Sequence, residues 1–324
     1  MARVAQITRT GGPEVIEWVD RDLPDPGEGE VSIRSTAVGL NFIDVYHRRG
    51  SYKIDLPSGL GSESIGVIEA VGPGVRGFAT GDRVGTFGPE RGAYATHRNL
   101  KADRLVKLPD TVDDRTAAAL LLKGATTEFL VERCARVEKG QTVLVHAAAG
   151  GVGHLLVGWL KAVGATVIGT VGSEDKAARA RTAGADHVIL HKQEDVVQRV
   201  REITGGSGVP VVFDGVGKAT WEQSLDSTAR RGLIVSYGSA SGAVEGVALG
   251  TLASKGSLFV TRPTLFDYAV TRDERQTMLD RVFAMLANGA ITPEIGQTFA
   301  LEDVAEAHRR LEAGETEGAT VLLP

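Results

Sequence analysis

The sequence predicts an α/β chain of two domains, a mostly-β, barrel-like one and a doubly wound parallel sheet. Three observations carry this prediction. Short strand-like runs punctuated by Gly and Pro fill residues 1 to about 120. Gln141 to Gly153 is an apolar, β-branched run that ends in a glycine cluster. Beyond it, strand-like and helix-like segments alternate, the pattern of a parallel sheet covered by helices.

In the first region, Val15–Val19 and Val31–Val38 are expected strands, with Pro24, Pro26 and Gly27 turning the chain between them. Gly66–Val71 and Gly74–Val84 follow as a hairpin and a further strand. From Leu120 to Glu138 the pattern is helical until Lys139-Gly140. Gln141–Gly153 then runs from strand through tight turn into the helix His154–Val163. Ala148-Ala149-Gly150-Gly151-Val152-Gly153 is the fingerprint G-x-G-x-x-G with Ala at its first position. Such a turn lets a phosphate approach free backbone N–H groups at a helix N-terminus. A second strand, Thr166–Thr170, stands at the spacing of a βαβ unit, which separates this match from a chance glycine cluster.

The expected alternation continues with helices at Ser173–Ala183, Glu194–Thr204 and Trp221–Ala229. The strands between and after them are His187–Leu190, Val209–Asp214, Leu233–Tyr237 and Ser257–Thr261. A long charged helix, Arg272–Asn288, stops at Gly289. The helix Leu301–Ala313 and the strand Ala319–Leu323 close the chain and are expected to pack on the first domain. The boundaries are placed so that residues 1–122, completed by 265–324, form one domain and residues 123–264 the other.

With 324 residues the chain can build two cores. Its net charge of -5 gives no general pull toward nucleic acid or an anionic membrane. No apolar run reaches the roughly 20 residues of a membrane span, and the N-terminus lacks the apolar core of a signal peptide. The expected location is the cytoplasm. The single cysteine, Cys134, excludes an internal disulfide and a cysteine zinc cluster. It is read as a small helical residue rather than a nucleophile.

These motifs, taken in order, resemble the medium-chain dehydrogenase/reductase superfamily over the whole chain. Within it the chain is most similar to the zinc-free quinone oxidoreductases that include zeta-crystallin, and in particular to the bacterial NADPH:quinone reductases. The matching segments include Gly39-Leu-Asn-Phe-Ile-Asp44, Leu56–Glu63, Gly81-Asp-Arg-Val84, Lys123-Gly124, His146–Gly153, Gly169-Thr-Val-Gly172 and Val235-Ser-Tyr-Gly238. The resemblance implies a GroES-like β-barrel catalytic domain, a Rossmann NADPH-binding domain and a homodimer joined at the sheet edge near Leu258–Thr261. Gly158 departs from it, since the family usually carries Gln there.

Zinc-dependent relatives place a Cys and a His where this chain has Asn41 and Ser62. An amide and a hydroxyl do not replace a thiolate and an imidazole in a tetrahedral zinc site. No metal is therefore expected, and the seven histidines pair with no second ligand type at short spacing. An NAD-selecting site puts an acid at the end of the second strand. Here Ile168–Ser173 ends without one, and Ser173 with Lys176 can hold a 2′-phosphate. Lys176 is otherwise an ordinary first-turn lysine, and Glu174 and Asp175 weigh against the preference. His191 stands where similar reductases carry a Tyr at the phosphate or adenine.

The expected reaction is hydride transfer from NADPH to a quinone or a conjugated enone. Asn41 is expected to donate its amide to the acceptor oxygen, and Tyr46 and Tyr52, read as part of the same loop, to donate or to stack on a flat acceptor. Loop packing is the competing role for both tyrosines. Lys123 and Thr127 match residues beside the nicotinamide. Ala149, Gly150, Gly151 and Val152 are expected to hold the pyrophosphate, Gly172 to contact the cofactor, and Gly238 and Ser239 to bound the nicotinamide side. Asp44 and Glu63 are read as structural. Arg262 is open to two roles, a phosphate or substrate contact and an interdomain ion pair. The competing functions are an enone or 2-alkenal reductase, an NADPH-binding protein with little turnover and, more distantly, a zinc alcohol dehydrogenase. RNA binding has no basic, aromatic-interleaved patch behind it.

Overall fold

The computed structural model describes residues 1–324. The chain forms two compact units. The first holds Met1–Leu122, Ala269–Leu279 and Pro293–Pro324, and the second Lys123–Tyr268 and Asp280–Thr292.

The chain begins with β1 (Ala2–Ile7), β2 (Glu17–Arg21) and β3 (Glu30–Leu40), then helix α1 (Phe42–Arg49). Strands β4 (Ser58–Gly59), β5 (Glu63–Val71), β6 (Arg83–Phe87), β7 (His97–Lys101) and β8 (Val106–Lys107) follow. Helix α2 (Asp114–Glu128) runs on into a stretch of π-helix, Phe129–Ala135. Next come β9 (Thr142–Val145), α3 (Gly151–Val163), β10 (Thr166–Val171), α4 (Glu174–Thr182), β11 (His187–Leu190) and α5 (Val196–Ile203). They are followed by β12 (Val209–Asp214), α6 (Trp221–Ser227), β13 (Thr228–Ser236), α7 (Leu249–Ser254), β14 (Phe259–Thr261) and α8 (Leu265–Tyr268). Helix α9 (Arg272–Ala287), β15 (Ile295–Ala300), α10 (Val304–Glu312) and β16 (Ala319–Leu323) complete the chain.

In the first unit the main sheet runs β15-β16-β3-β5-β6-β8, with β7 also on β3, and a smaller sheet runs β2-β1-β4. The returning strand β16 pairs antiparallel with β3, so the tail completes this sheet. Val31, Ile33, Ile68, Phe78, Val84 and Leu105 fill one core, and Ile7, Val38, Leu40, Leu60, Leu301 and Leu322 another. The second unit is one parallel sheet, β11-β10-β9-β12-β13-β14. Its central strands are apolar on both faces, as a sheet covered on both sides requires. Leu144, Ile168, Val212 and Ile234 pack with Val196, Val200 and Leu225 of the covering helices.

Four expectations need correction. Pro13 opens a 3-10 turn through Val15, so the strand expected from Val15 starts at Glu17. Gly74, Gly77 and Gly81 take φ of +76°, +81° and +93°, so Gly74–Asp82 is turn and only Arg83 onward is strand. The supposed loop after Asn41 is α1, so Tyr46 stands on a helix. Finally, residues 265–268 and 280–292 belong to the second unit, although 265–324 was expected to complete the first. Arg281 pairs with Glu132 at 2.9 Å and lies over Trp159. Ala290 and Ile291 pack at Gly158, where a Cβ would come within 2.7 Å of the Ala290 carbonyl oxygen. The missing side chain at Gly158 is thus what admits this segment against α3.

Candidate functional site

In the second unit the glycine turn follows the central strand. His146 N–H donates to the Phe213 carbonyl and Ala148 N–H to that of Thr170, each at 3.0 Å, which continues β9 between β12 and β10. Gly150 caps α3 in an extended conformation and has no side chain to satisfy the first turn. The leading N–H groups at Gly151 and Val152 are left for a ligand, an anion-binding arrangement. A Cβ on Gly153 would run into the Ala147 carbonyl, so the helix can cross the strand end only with Gly there. Ala148 is tolerated at the first fingerprint position because its neighbour on β10 is Gly169, where a Cβ would sit 2.7 Å from the Ala148 methyl. Ala149, beside it, is buried.

At the end of β10, Gly172 leads into Ser173, the N-cap of α4, whose Oγ accepts from Lys176 N–H at 3.4 Å. His191 and Lys192, from the end of β11, come over Gly172, and a Cβ there would lie 3.2 Å from His191 Nε2. Partial burial, then Lys192 and Lys176, hold the His191 imidazole below its usual pKa. The structure therefore gathers Gly172, Ser173, Lys176 and His191, four of the expected cofactor residues.

Gly238 crosses so close over the Gly215 carbonyl that no side chain fits. Arg262 resolves its two open roles into a third. Its Nη1 donates to the Ser236 and Gly238 carbonyls, both at 2.8 Å, and its Nη2 to Ser239 Oγ at 3.1 Å. Arg262 thus braces the loop that carries Gly238 and Ser239. Thr127 departs from expectation. It is fully buried, and its hydroxyl donates to the Lys123 carbonyl at 2.9 Å within α2, which leaves it only as an acceptor. Lys123 is itself 5% exposed.

Two buried residues of this unit had been given no role. His146 places Nδ1 3.0 Å from Thr170 Oγ1, and burial lowers its pKa. Asp214 accepts from the N–H groups of Val216 and Gly217, both at 2.9 Å, and from Ser224 Oγ at 2.7 Å, which shapes the turn after β12. A lone polar residue ending each apolar strand was the available signal.

In the first unit, Asn41 is the N-cap of α1 and forms a capping box with Asp44. Its Nδ2 donates to Glu63 Oε2 at 2.8 Å and to the Gly39 carbonyl at 3.4 Å. The amide is thus engaged inside the fold, chiefly by Glu63, and is 6% exposed, where an acceptor contact was expected. Glu63 also accepts from Leu122 N–H at 2.7 Å. Asp44, fully buried, accepts from Asn41 N–H at 3.0 Å, Ser62 Oγ at 2.7 Å and Tyr94 OH at 2.8 Å. Burial raises its pKa to about 6 against the pull of those three donors. Tyr94 OH also lies 3.1 Å from His308 Nε2, and burial takes that imidazole down to about 3. Asn41 and Ser62 are therefore tied to Glu63 and Asp44.

The aromatic residues are differently placed. The Tyr46 and Tyr52 ring centroids lie 5.2 Å apart, with Phe42 at 6.1 Å from Tyr46 and His47 at 6.0 Å from Tyr52. Tyr52 is 39% exposed and Tyr46 half-buried. The two rings are tilted 59° to one another and form an aromatic corner that carries two phenolic hydroxyls.

The chain matches two family models, the alcohol dehydrogenase GroES-like domain over residues 27–110 and zinc-binding dehydrogenase over residues 151–284. A quinone oxidoreductase of Pseudomonas aeruginosa is 50% identical, with both chains covered completely. A 2-haloacrylate reductase of a Burkholderia species is 41% identical over all of this chain and 99% of its own. The crystal structure of Escherichia coli quinone oxidoreductase complexed with NADPH superposes with a TM-score of 0.97, at 44% identity and complete coverage of both. With such identity sustained from end to end, and both domain models falling in order on one chain, this protein belongs to the quinone oxidoreductases of the medium-chain dehydrogenase/reductase superfamily.

Proposed function

We propose that this protein is an NADPH-dependent quinone oxidoreductase that works without zinc. One observation carries the cofactor reading. The two strand ends beside the glycine turn present Ser173, Lys176 and His191, with no acid on the strand end to take a ribose 2′-OH. The residues fit the cofactor: the uncapped turn at Gly150–Val152 suits a pyrophosphate, and Ser173 with Lys176 a 2′-phosphate. Arg262 holds Gly238 and Ser239 as the nicotinamide-side wall, with Lys123 at the start of this unit. Bound NADPH supplies the hydride.

Two-electron reduction of a quinone needs that hydride and a proton, and the Tyr46 and Tyr52 phenols are the groups assigned to donate to the acceptor oxygens. Asn41 positions α1 and Glu63 instead of touching the acceptor. Support for zinc independence is the donor chemistry: Asn41 and Ser62 are bonded to carboxylates, and no three His, Cys, Asp or Glu side chains gather as ligands. No helix is long and apolar enough to cross a membrane, and we place the protein in the cytoplasm. The edge strand β14, with Phe259 61% and Val260 38% exposed, is assigned to a homodimer contact, which sedimentation of the purified protein would test.

An acceptor panel of benzoquinones, naphthoquinones and small enones, run with NADPH and NADH in parallel, tests the reading. Faster NADPH oxidation with quinones supports it. Turnover on enones alone overturns the quinone assignment in favour of the second reading, to which the haloacrylate reductase relative points. NADPH binding without turnover on any acceptor would leave a binding protein.

A further inference from the structure

We propose that His191 makes cofactor choice depend on pH, taking up a proton as the 2′-phosphate of NADPH binds. The inference rests on the reading that NADPH is the cofactor and that its 2′-phosphate goes to the Ser173 turn. What it adds is a proton-linked selectivity specific to the imidazole at position 191.

The geometry is a small cationic cup. His191 and Lys192 leave β11 together and reach Gly172 at the end of β10, where an added Cβ would meet His191 Nε2 at 3.2 Å and Lys192 Cε at 3.6 Å. Lys176, in the first turn of α4, is close enough to act on the imidazole, as is Lys192. Just past β9, the buried His146 feels the charge of His191, and Asp214 at the end of β12 acts on it in the opposite sense. The acids nearby are Glu174 and Asp175, which open α4, and Glu194. Glu194 is already engaged by Leu190 N–H at 2.8 Å and by Arg199 at 3.2 Å.

Without ligand, partial burial and two lysines disfavour the imidazolium, so His191 is neutral at neutral pH. A 2′-phosphate carries about −1.5 to −2 charge at pH 7. Set among the same groups, it offsets the two lysine charges and favours the imidazolium as a direct counter-charge. The imidazole is thus protonated more readily in the complex than in the free protein. Phosphate affinity is greatest at pH values below the free imidazole's pKa and falls as pH rises through that of the complex. A tyrosine here could donate a hydrogen bond, but with a pKa near 10 it would carry no such linkage. NADH, without the phosphate, would not draw the proton.

Isothermal titration of NADPH at pH 7 in two buffers of different ionisation enthalpy reads the protons taken up. Dissociation constants for NADPH and NADH between pH 6.5 and 8.5 read the selectivity. The expected result is net proton uptake with NADPH and none with NADH, and an NADPH affinity that falls by up to about tenfold per unit of pKa shift across the range. The phosphate titrates too, and His191→Gln is the reference for it. Since His191 is exposed, this variant leaves the core untouched. It should lose the imidazole's share of the uptake and of the pH slope, leaving only the phosphate's, while keeping a preference for NADPH through Lys176. Equal proton uptake by wild type and His191→Gln overturns the proposal. If NADPH and NADH bind alike at every pH, and Lys176→Ala changes neither, the underlying 2′-phosphate reading fails instead.

Discussion

Arg262 offers the sharpest test of how the second unit shapes the loop proposed to face the nicotinamide. The perturbation is Arg262→Ala. It removes two hydrogen bonds to the Ser236 and Gly238 carbonyls and one to Ser239 Oγ. A hydrogen bond from a charged donor contributes about 1.5–3 kcal/mol when sheltered. Arg262 is largely exposed, and water can replace it at the freed carbonyls, so about 2 kcal/mol in total is the realistic loss. The cost falls on a loop already committed to a tight path, since Gly238 has no room to move toward Gly215. The expected outcome is a urea midpoint lowered by that amount and an NADPH dissociation constant raised roughly tenfold, equivalent to about 1.4 kcal/mol. Arg262→Lys should recover less than half of either effect, because a point charge cannot reproduce a planar fork that reaches three acceptors. Unchanged cofactor affinity in Arg262→Ala would refute the bracing role. Complete rescue by Lys would show that charge alone matters there.

Two further outcomes follow from the packing. Gly158→Ala places a methyl 2.7 Å from the Ala290 carbonyl oxygen. Overpacking costs about 1–3 kcal/mol and outweighs the gain of about 0.5–1 kcal/mol for Gly→Ala in a helix. Net destabilisation of about 1 kcal/mol or more in urea is expected, while Gly250→Ala in α7, with open space around it, should be neutral or stabilising; equal behaviour of the two would defeat the packing argument. Acid should also destabilise the first unit. His47 and His308 have folded-state values of about 4 and about 3, below the usual imidazole value, so the unfolded chain binds protons first as pH falls below 6.5. Each then costs about 2 kcal/mol by pH 5. Asp44, raised to about 6, works in the opposite direction and returns about 1.4 kcal/mol over the same interval. The net loss between pH 7 and 5 is about 2.5 kcal/mol, and His308→Gln should remove about 2 kcal/mol of it; an unchanged pH slope in that variant would contradict the burial assignment.

The second unit was legible because its signals are local. β11 and β12 begin and end where the residue pattern places them, and Gly289, at φ +75°, stops α9 as expected. Strands β1, β7 and β15 escaped notice. β7 is half-exposed along most of its length, with no buried face to print an alternation, and β15 carries only a half-buried one. Helix α1 was missed for a different reason. Asn41 and Asp44 stand three apart, the spacing of a capping box, and that spacing was read as part of an active-site signature instead. The long-range partners of the site residues had no local trace at all. Nothing near Asn41 in sequence announces Glu63, and nothing near Asp44 announces Tyr94.

That blind spot bears on the chemistry. Asn41 was chosen because an amide in that segment can donate to a developing oxyanion. Its Nδ2 already donates to a carboxylate oxygen inside the fold at 2.8 Å. Turning the amide toward an acceptor would strip Glu63 of a buried donor, and leaving a charged group less satisfied costs more than a neutral acceptor returns. The network also shows what holds this part of the first unit together. Ser62, Asp44, Tyr94 and His308 form one chain of hydrogen bonds from β5 to α10, and Asn41 ties the start of α1 to Glu63 at the start of β5. Tyr46 and Tyr52 lie outside this buried network, with Tyr52 39% exposed and Tyr46 half-buried, and they are the residues proposed to meet an acceptor. Acceptor preference should therefore respond to substitution of those two rings more than to any change in the buried network behind them.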